Sequence, residues 1–210
     1  MTNKISDYFQ TIYKPRKTFE ELITQENLYT QSLVYISIPI VCYTLMYIFL
    51  TVANGAPSTL IPWLNISKDE YYSINRFLLA PSMIICWFTA TSFIQVVSRL
   101  TGGSGTFEQT LSTISLSISI AMWGALIHDL PMSFLSAIGV IDARQHEIAM
   151  NSPTIFRTIL WICYLIYFIA FFILFPLSVR VVHKLNWIKS IAIGFLSFII
   201  FQTIFLIFNR

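Results

Sequence analysis

Residues 158–179 read TILWICYLIYFIAFFILFPLSV and contain no aspartate, glutamate, lysine or arginine. A helix needs about 20 apolar residues to cross the hydrocarbon core of a bilayer. A charged side chain at the centre of such a helix would cost on the order of 2.5–3.5 kcal/mol on insertion. The stretch is long enough and free of that cost, so it predicts a transmembrane helix.

Four other windows share this character and predict further spans near residues 33–53, 77–97, 110–127 and 190–208. Only 11% of the 210 residues are charged and 56% are apolar, with a mean hydropathy of +0.70, whereas soluble domains carry roughly 25% charged residues. The windows also lack the alternation of β-barrel strands. We therefore predict an all-α, polytopic transmembrane bundle of about five spans over residues 33–210, which follows a cytoplasmic or interfacial segment, residues 1–32.

The connection before the fourth span contains a short apolar piece, Leu130–Ile141. It is about half as long as a span, which predicts an interfacial or re-entrant segment rather than a sixth crossing. Ser152 and Pro153 suit a helix N-cap and a first helical position. We therefore expect the fourth transmembrane helix to begin there.

The N-terminal segment is predicted to contain a short amphipathic helix. Thr18 and Glu21 fit a capping box, and Phe19, Leu22 and Ile23 then share one side of the helix. A helix with one apolar and one charged face lies at a membrane interface. We expect this helix at the cytoplasmic surface.

Lysine and arginine are distributed unequally between alternate sides of the predicted spans. Cytoplasmic loops carry the excess of these residues, which favours a cytoplasmic N-terminus and an outside C-terminus. The N-terminal side has eight: Lys4, Lys14, Arg16, Lys17, Arg99, Arg180, Lys184 and Lys189. The opposite side has five: Lys68, Arg76, Arg144, Arg157 and Arg210.

Small residues recur at every fourth position of the third span. The stripe consists of Thr113, Ser117, Ala121 and Ala125. Small residues let helix backbones approach closely in lipid, where no hydrophobic force drives helices together. The stripe is therefore a candidate packing surface, and it predicts a central position for the third helix.

One sequence resembles a catalytic motif. Gly102-Gly103-Ser104-Gly105 is similar to the nucleophile region of rhomboid-type intramembrane proteases, but the serine would need a histidine base within hydrogen-bond reach. Ser104 precedes its span, and His128 lies at the far end of that span, which leaves only His183 on the same side. We interpret the glycines as a tight turn, followed by a Thr106–Gln109 capping box.

No other cluster predicts chemistry. Asp142, His146 and Glu147 could share a helix face, but zinc sites usually need three or four convergent ligands, so a solvated face is the simpler interpretation. The net charge of +3 is scattered and forms no patch for nucleic acid. We predict a protein that is not an enzyme and has no metal, cofactor or nucleic-acid partner.

Two motifs resemble the Yip (Ypt-interacting protein) domain family of multi-pass membrane proteins. Residues 15–21, PRKTFEE, resemble its entry to the first span, and residues 102–111, GGSGTFEQTL, resemble its turn into the third. Gly102, Gly103, Gly105 and Phe107 are the candidate motif residues. Family members often carry Gly-Tyr and then a proline within the third span. In this chain, the first proline after the start of that span is Pro131. The resemblance therefore does not predict a proline kink within the third span.

The resemblance implies a non-enzymatic protein. Eukaryotic relatives bind small Rab-type GTPases in secretory membranes, while prokaryotic-type members, which the short N-terminal segment favours, lie in the inner membrane. Two functions follow as alternatives. The first is a scaffold, adaptor or bilayer-organising protein whose partners are the lipid bilayer and other membrane or cytosolic proteins, or further copies of itself. The second is a transporter or channel for a small solute or lipid with an uncharged pathway.

Overall fold

The computed structural model describes residues 4–58 and 64–209, which form eight α-helices and no strand. Five of these helices, α3, α4, α5, α7 and α8, are long and apolar enough to cross a membrane. This confirms the predicted all-α fold with five spans. Arg210, counted above on the outer side, lies outside the described residues. The helices are α1 (Lys4–Tyr13), α2 (Pro15–Leu22), α3 (Leu28–Val52), α4 (Tyr71–Leu100), α5 (Phe107–Ala137), α6 (Ala143–Met150), α7 (Ile155–His183) and α8 (Trp187–Phe208).

Helix α5 lies at the centre of the bundle and contacts α3, α4 and α7. Of its most apolar 18-residue window, 83% is buried inside the protein, against 28–44% for the other four spans. At Gly124, a Cβ atom would lie 2.5 Å from the backbone nitrogen of Tyr167 on α7. Glycine therefore allows a close backbone approach here, as small residues do between membrane helices.

The prediction of a separate interfacial or re-entrant segment at Leu130–Ile141 is wrong. Helix α5 continues through Pro131 to Ala137. Transmembrane helices tolerate an internal proline where neighbouring groups satisfy the freed backbone. Ile138 is the C-cap of α5, and the φ of +77° at Gly139 is the left-handed conformation typical of the residue after a helix C-cap.

The predicted start of the fourth span at Ser152 and Pro153 is also wrong, by two residues. Thr154 is the N-cap of α7, and its hydroxyl accepts a hydrogen bond from the backbone N–H of Arg157. Threonine is a good N-cap for the same reason as serine. The local sequence contained two adjacent start signals, and the second one is used.

The predicted N-terminal helix is present as α2, but Thr18 does not cap it. The helix begins at Pro15, which is favoured at a first helical position, and the Thr18 hydroxyl donates to the carbonyl of Lys14 at 3.1 Å. Phe19 and Leu22 are fully buried. They pack in a cluster with Tyr35, Leu116, Leu174 and Leu177. The apolar face of α2 thus lies against the bundle.

Five spans place different segments at the two ends of the bundle. The α2 end comprises α1, α2, the turn at residues 101–106 and the connection at residues 184–186. Lys189 Nζ donates to the carbonyl of Thr101 there, at 2.9 Å. The α6 end comprises α6 and residues 53–58 and 64–70, and Arg144 on α6 forms an ion pair with Asp69 at 2.6 Å.

Candidate functional site

A cavity of about 380 Å³ opens at the α6 end. Its lining comes from all the helices from α3 to α8. Sites for small molecules in proteins commonly measure about 300–1,000 Å³ and combine an apolar lining with a few polar groups. The cavity has both properties, so it is the first place to look for a ligand.

Two histidines and two carboxylates lie in the cavity wall. His128 Nδ1 and Asp129 Oδ1 are 2.8 Å apart, and the His128 ring stacks on the His146 ring with centroids 5.7 Å apart. Glu147 accepts hydrogen bonds from the Ser58 backbone N–H at 3.2 Å and from the Tyr72 hydroxyl at 3.2 Å. Helix α6 therefore places His146 and Glu147 in the same cavity wall as His128 and Asp129 of α5.

These contacts fix the electrostatics of the cavity. Burial lowers the pKa of His146 below its ordinary value, with the neighbouring His128 adding to the effect. The His146 ring is therefore neutral at neutral pH, and the residues that line the cavity include no lysine or arginine. Asp129 and Glu147 give the wall a negative character.

Aromatic rings line the same cavity. Tyr47, Tyr71 and Tyr72 form a mutual cluster, with ring centroids 5.3–6.4 Å apart. Their spacing suits edge-to-face packing. The Tyr72 hydroxyl donates a hydrogen bond to Glu147. The cluster therefore places aromatic rings next to a carboxylate.

Asp142 does not join His146 and Glu147. It is the N-cap of α6, and its carboxylate accepts from the backbone N–H of Gln145 at 2.9 Å. Within residues 4–58 and 64–209, no group of three His, Cys, Asp or Glu side chains could hold a metal ion. Asp142, His146 and Glu147, which were considered from sequence as a metal site, therefore contact different partners.

The α2 end contains a second set of buried polar side chains. His183 Nε2 lies 3.0 Å from the Thr110 hydroxyl, which donates to Gln95 Oε1 at 2.9 Å. Thr113 and Ser178 hydroxyls are 2.6 Å apart and join α5 to α7. These side chains bind one another across helix interfaces, so they hold the bundle together.

The motif glycines form the turn beside this set. Gly102 has a φ of +97°, which glycine adopts without strain. Gly103 and Gly105 are buried against His183 and Val182, respectively, where a Cβ would collide. Phe107 begins α5 and packs near Phe88, with ring centroids 6.4 Å apart.

The turn also confirms the predicted capping box and separates Ser104 from a base. Thr106 and Gln109 each accept a hydrogen bond from the backbone N–H of the other. Ser104 is exposed, and its backbone N–H donates to the carbonyl of His183 at 3.3 Å. The His183 ring is directed to Thr110, so the two residues meet through the backbone rather than as a nucleophile and its base.

The small-residue stripe of α5 is buried along its whole length. Exposure is at most 4% at Thr113, Ser117, Ala121 and Ala125. Thr113 reaches α7, while the Ser117 hydroxyl donates to the carbonyl of Thr113 at 2.7 Å. The role of the stripe as a helix-packing surface remains a prediction.

Sequence reasoning missed the cavity. Asp129 and Glu147 are separated by a helix end, a turn and a helix start, and they come together because α5 extends to Ala137 before the chain reverses. A signal was present in the tyrosines: Tyr43 and Tyr47 are one helical turn apart, which puts two amphipathic rings on one helix face. Both line the cavity.

Comparison with protein families agrees with this architecture. The family model described as the Yip1 domain matches residues 9–208, nearly the whole chain. The match covers α2, all five apolar helices and the cavity. No curated protein and no solved structure matches the chain. The chain therefore belongs to the Yip1 domain family of multi-pass membrane proteins.

Proposed function

We propose that this protein is a non-enzymatic scaffold or adaptor in a cell membrane, with α1 and α2 on the cytoplasmic side. In this proposal, α2 presents a fixed surface to partner proteins while the five spans hold it at the bilayer. The family membership supports a membrane role of this type. The partners are other membrane or cytosolic proteins, or further copies of the same chain.

The observation that carries the proposal is the division of α2 into two faces. Phe19 and Leu22 are fully buried in the bundle. On the other side, Arg16 pairs with Glu20 at 2.8 Å and Lys17 pairs with Glu21 at 3.5 Å, and all four side chains are at least half exposed. The buried face holds the helix backbone in place, so the charged face does not have to be ordered as a helix on binding.

Helix α1 supports the placement of this surface at a membrane. Its Tyr8 hydroxyl donates to the carbonyl of Ser119 on α5 at 3.0 Å, which fixes the helix to the bundle. Phe9, Ile12 and Tyr13 are all more than half exposed. Exposed apolar side chains followed by Lys14 and Lys17 suit insertion among lipid head groups, with the lysines near anionic lipids.

Transport has less support. The cavity at the α6 end would serve as one part of a pathway, but Phe171, Phe175 and Phe201 pack tightly in the bundle further along α7 and α8. Their centroids are 5.1–6.3 Å apart and all three are fully buried. A solute would have to displace this cluster, so the cavity suits binding better than passage.

The test places a photo-crosslinking amino acid at Glu20 on α2 and, as a control, at Leu165 on α7, which is exposed. We expect specific protein adducts at position 20 in native membranes. The double substitution Arg16→Glu and Lys17→Glu should abolish them, because it replaces a surface of paired opposite charges with one that carries only negative charge. Adducts at position 165 should not change. An adduct of twice the chain mass would identify self-association.

The scaffold proposal would be contradicted if position 20 captured only lipid. It would also be contradicted if the charge reversal left every protein adduct at its original yield.

A further inference from the structure

We propose that the cavity at the α6 end binds a phospholipid with a primary ammonium head group, with the ammonium at Asp129 and His128 and an acyl chain among the apolar residues. The inference concerns a ligand site, and it is independent of the partner surface on α2. Four features of the cavity support it.

The first feature is the hydrogen bonding of His128. Its ring is 8% exposed, so it is more than nine-tenths buried. Because a carboxylate can only accept, Nδ1 donates the hydrogen bond to Asp129, and Nε2 is the ring nitrogen left for a ligand. Nε2 has no hydrogen-bond partner among the described residues. A buried polar atom without a partner is costly, and a ligand N–H donated to Nε2 would satisfy it.

The second feature is charge. Asp129 and Glu147 are in the wall, and the lining residues include no lysine or arginine. A cation is therefore favoured over an anion at this position. An ammonium group that keeps its N–H donors can bind Asp129 and His128 together, whereas a quaternary ammonium has no N–H to donate.

The third feature is the tyrosine cluster. Tyr47, Tyr71 and Tyr72 line the cavity, and aromatic rings within about 6 Å of a cation attract it through the ring faces. Carboxylates and aromatic rings together form the usual environment of a bound ammonium.

The fourth feature indicates a lipid rather than a soluble amine. Phe168, Phe205 and Leu206 continue the lining as an apolar surface. Trp161 and Phe168 are also exposed on α7, a helix apolar enough to face lipid. The cavity thus reaches the surface that a bilayer would cover, so an acyl chain can enter from the side.

The experiment uses the full chain, purified in detergent and delipidated. Thermal unfolding is followed while dioleoyl phosphatidylethanolamine, phosphatidylcholine or phosphatidylglycerol is added at matched mole fractions. We expect apparent binding of phosphatidylethanolamine to be about tenfold tighter than that of the other two, a difference equal to one good polar contact. Soluble ethanolamine is included to test whether the head group alone is sufficient.

Two variants assign the preference to the cavity. Asp129→Asn and Glu147→Gln each remove a negative charge while keeping the shape of the side chain, and each should reduce the preference for phosphatidylethanolamine to about threefold or less. Asp69→Asn is the control, because Asp69 lies at the same end but is exposed and does not line the cavity. This control should keep the full preference.

If Asp129→Asn fails to fold, Glu147→Gln provides the same test at the margin of the cavity. Equal stabilisation by the three lipids, or stronger stabilisation by phosphatidylglycerol, would overturn the proposal. So would a preference that both cavity variants retain. Saturable stabilisation by ethanolamine with no added effect of the lipid would overturn the assignment to a lipid.

Discussion

The two ends of the bundle use buried polar side chains in opposite ways. At the α2 end, Thr113 and Ser178 bind each other across a helix interface, and Thr110 links His183 to Gln95. At the α6 end, His128 and Glu147 surround an open volume of about 380 Å³. Hydrogen bonds between side chains of different helices stabilise a framework, whereas polar groups that line a cavity can also contact a ligand. The predictions below test this contrast.

The largest effect is expected at the contact between α2 and the bundle. Phe19→Ala removes a fully buried ring, and substitutions of this type typically cost about 3–5 kcal/mol of folding free energy. Phe9→Ala on α1 is the matched control, because Phe9 is 59% exposed. Thermal unfolding in detergent should show a large loss for Phe19→Ala alone. Equal melting of both variants would mean that α2 is not part of the folded framework.

A smaller loss is expected at the stripe that lies between the two ends. Ala121→Leu adds bulk at a buried position of α5, and overpacking costs about 1–3 kcal/mol. Leu165→Ala on the exposed face of α7 should change the free energy of unfolding by about 0.5 kcal/mol or less. The comparison is informative because a leucine at position 121 would be more favourable than alanine if this side chain faced lipid. A wild-type melting temperature for Ala121→Leu would contradict the central packing of α5.

A further loss of stability is expected at the α2 end, where the Thr113 hydroxyl bonds both within α5 and to α7. Thr113→Val keeps the shape of the side chain but removes the hydroxyl that lies 2.6 Å from Ser178, and one such bond contributes about 0.5–1.5 kcal/mol. Thr89→Val on the exposed face of α4 is the control. Both variants are compared by unfolding in detergent. If the control loses as much stability as Thr113→Val, the polar pair does not stabilise the framework.

The smallest effect is expected at the turn. Ser104→Ala should stay within about 0.5 kcal/mol of wild type, because the side chain is exposed and its backbone makes the contact. Gly102→Ala, two residues earlier, should cost about 1 kcal/mol, since its φ is +97°. Thermal stability and the pattern of membrane-protein fragments are measured for both. Loss of a proteolytic product in Ser104→Ala at normal protein level would contradict the structural role.

Much of the fold could be predicted because membrane insertion depends on local composition. The five apolar windows, the turn at Gly102 and the Thr106–Gln109 capping box each depend on residues close together in sequence. The end of α5 was harder, because Leu130–Ile141 is too short to be a span of its own, and its length does not show that it continues the third span. The helix boundary was therefore decided by neighbours that the local sequence does not reveal.

The partners of polar and amphipathic surfaces were less predictable. Phe19 and Leu22 predict that α2 has an apolar face, but that pattern is the same for a helix on lipid and for a helix on protein. His128 and His146 meet only because α5 is long and α6 folds back beside it. The cavity is thus a property of helix packing, and no short motif carries it.

The α2 surface and the α6-end cavity lie on opposite sides of the membrane if α3, α4 and α5 all cross it. The direct measurement is cysteine labelling in a chain whose native cysteines, Cys42, Cys86 and Cys163, are replaced by alanine. One new cysteine is introduced by Glu20→Cys on α2 or by Gln145→Cys on α6, both at exposed positions.

A membrane-impermeant maleimide is then added to intact cells and, separately, to permeabilised cells. The account predicts that Gln145→Cys is labelled in intact cells and that Glu20→Cys is labelled only after permeabilisation. Labelling of both cysteines from one side would contradict the three crossings by α3, α4 and α5 that lie between them, and the reverse pattern would contradict the cytoplasmic position of α2.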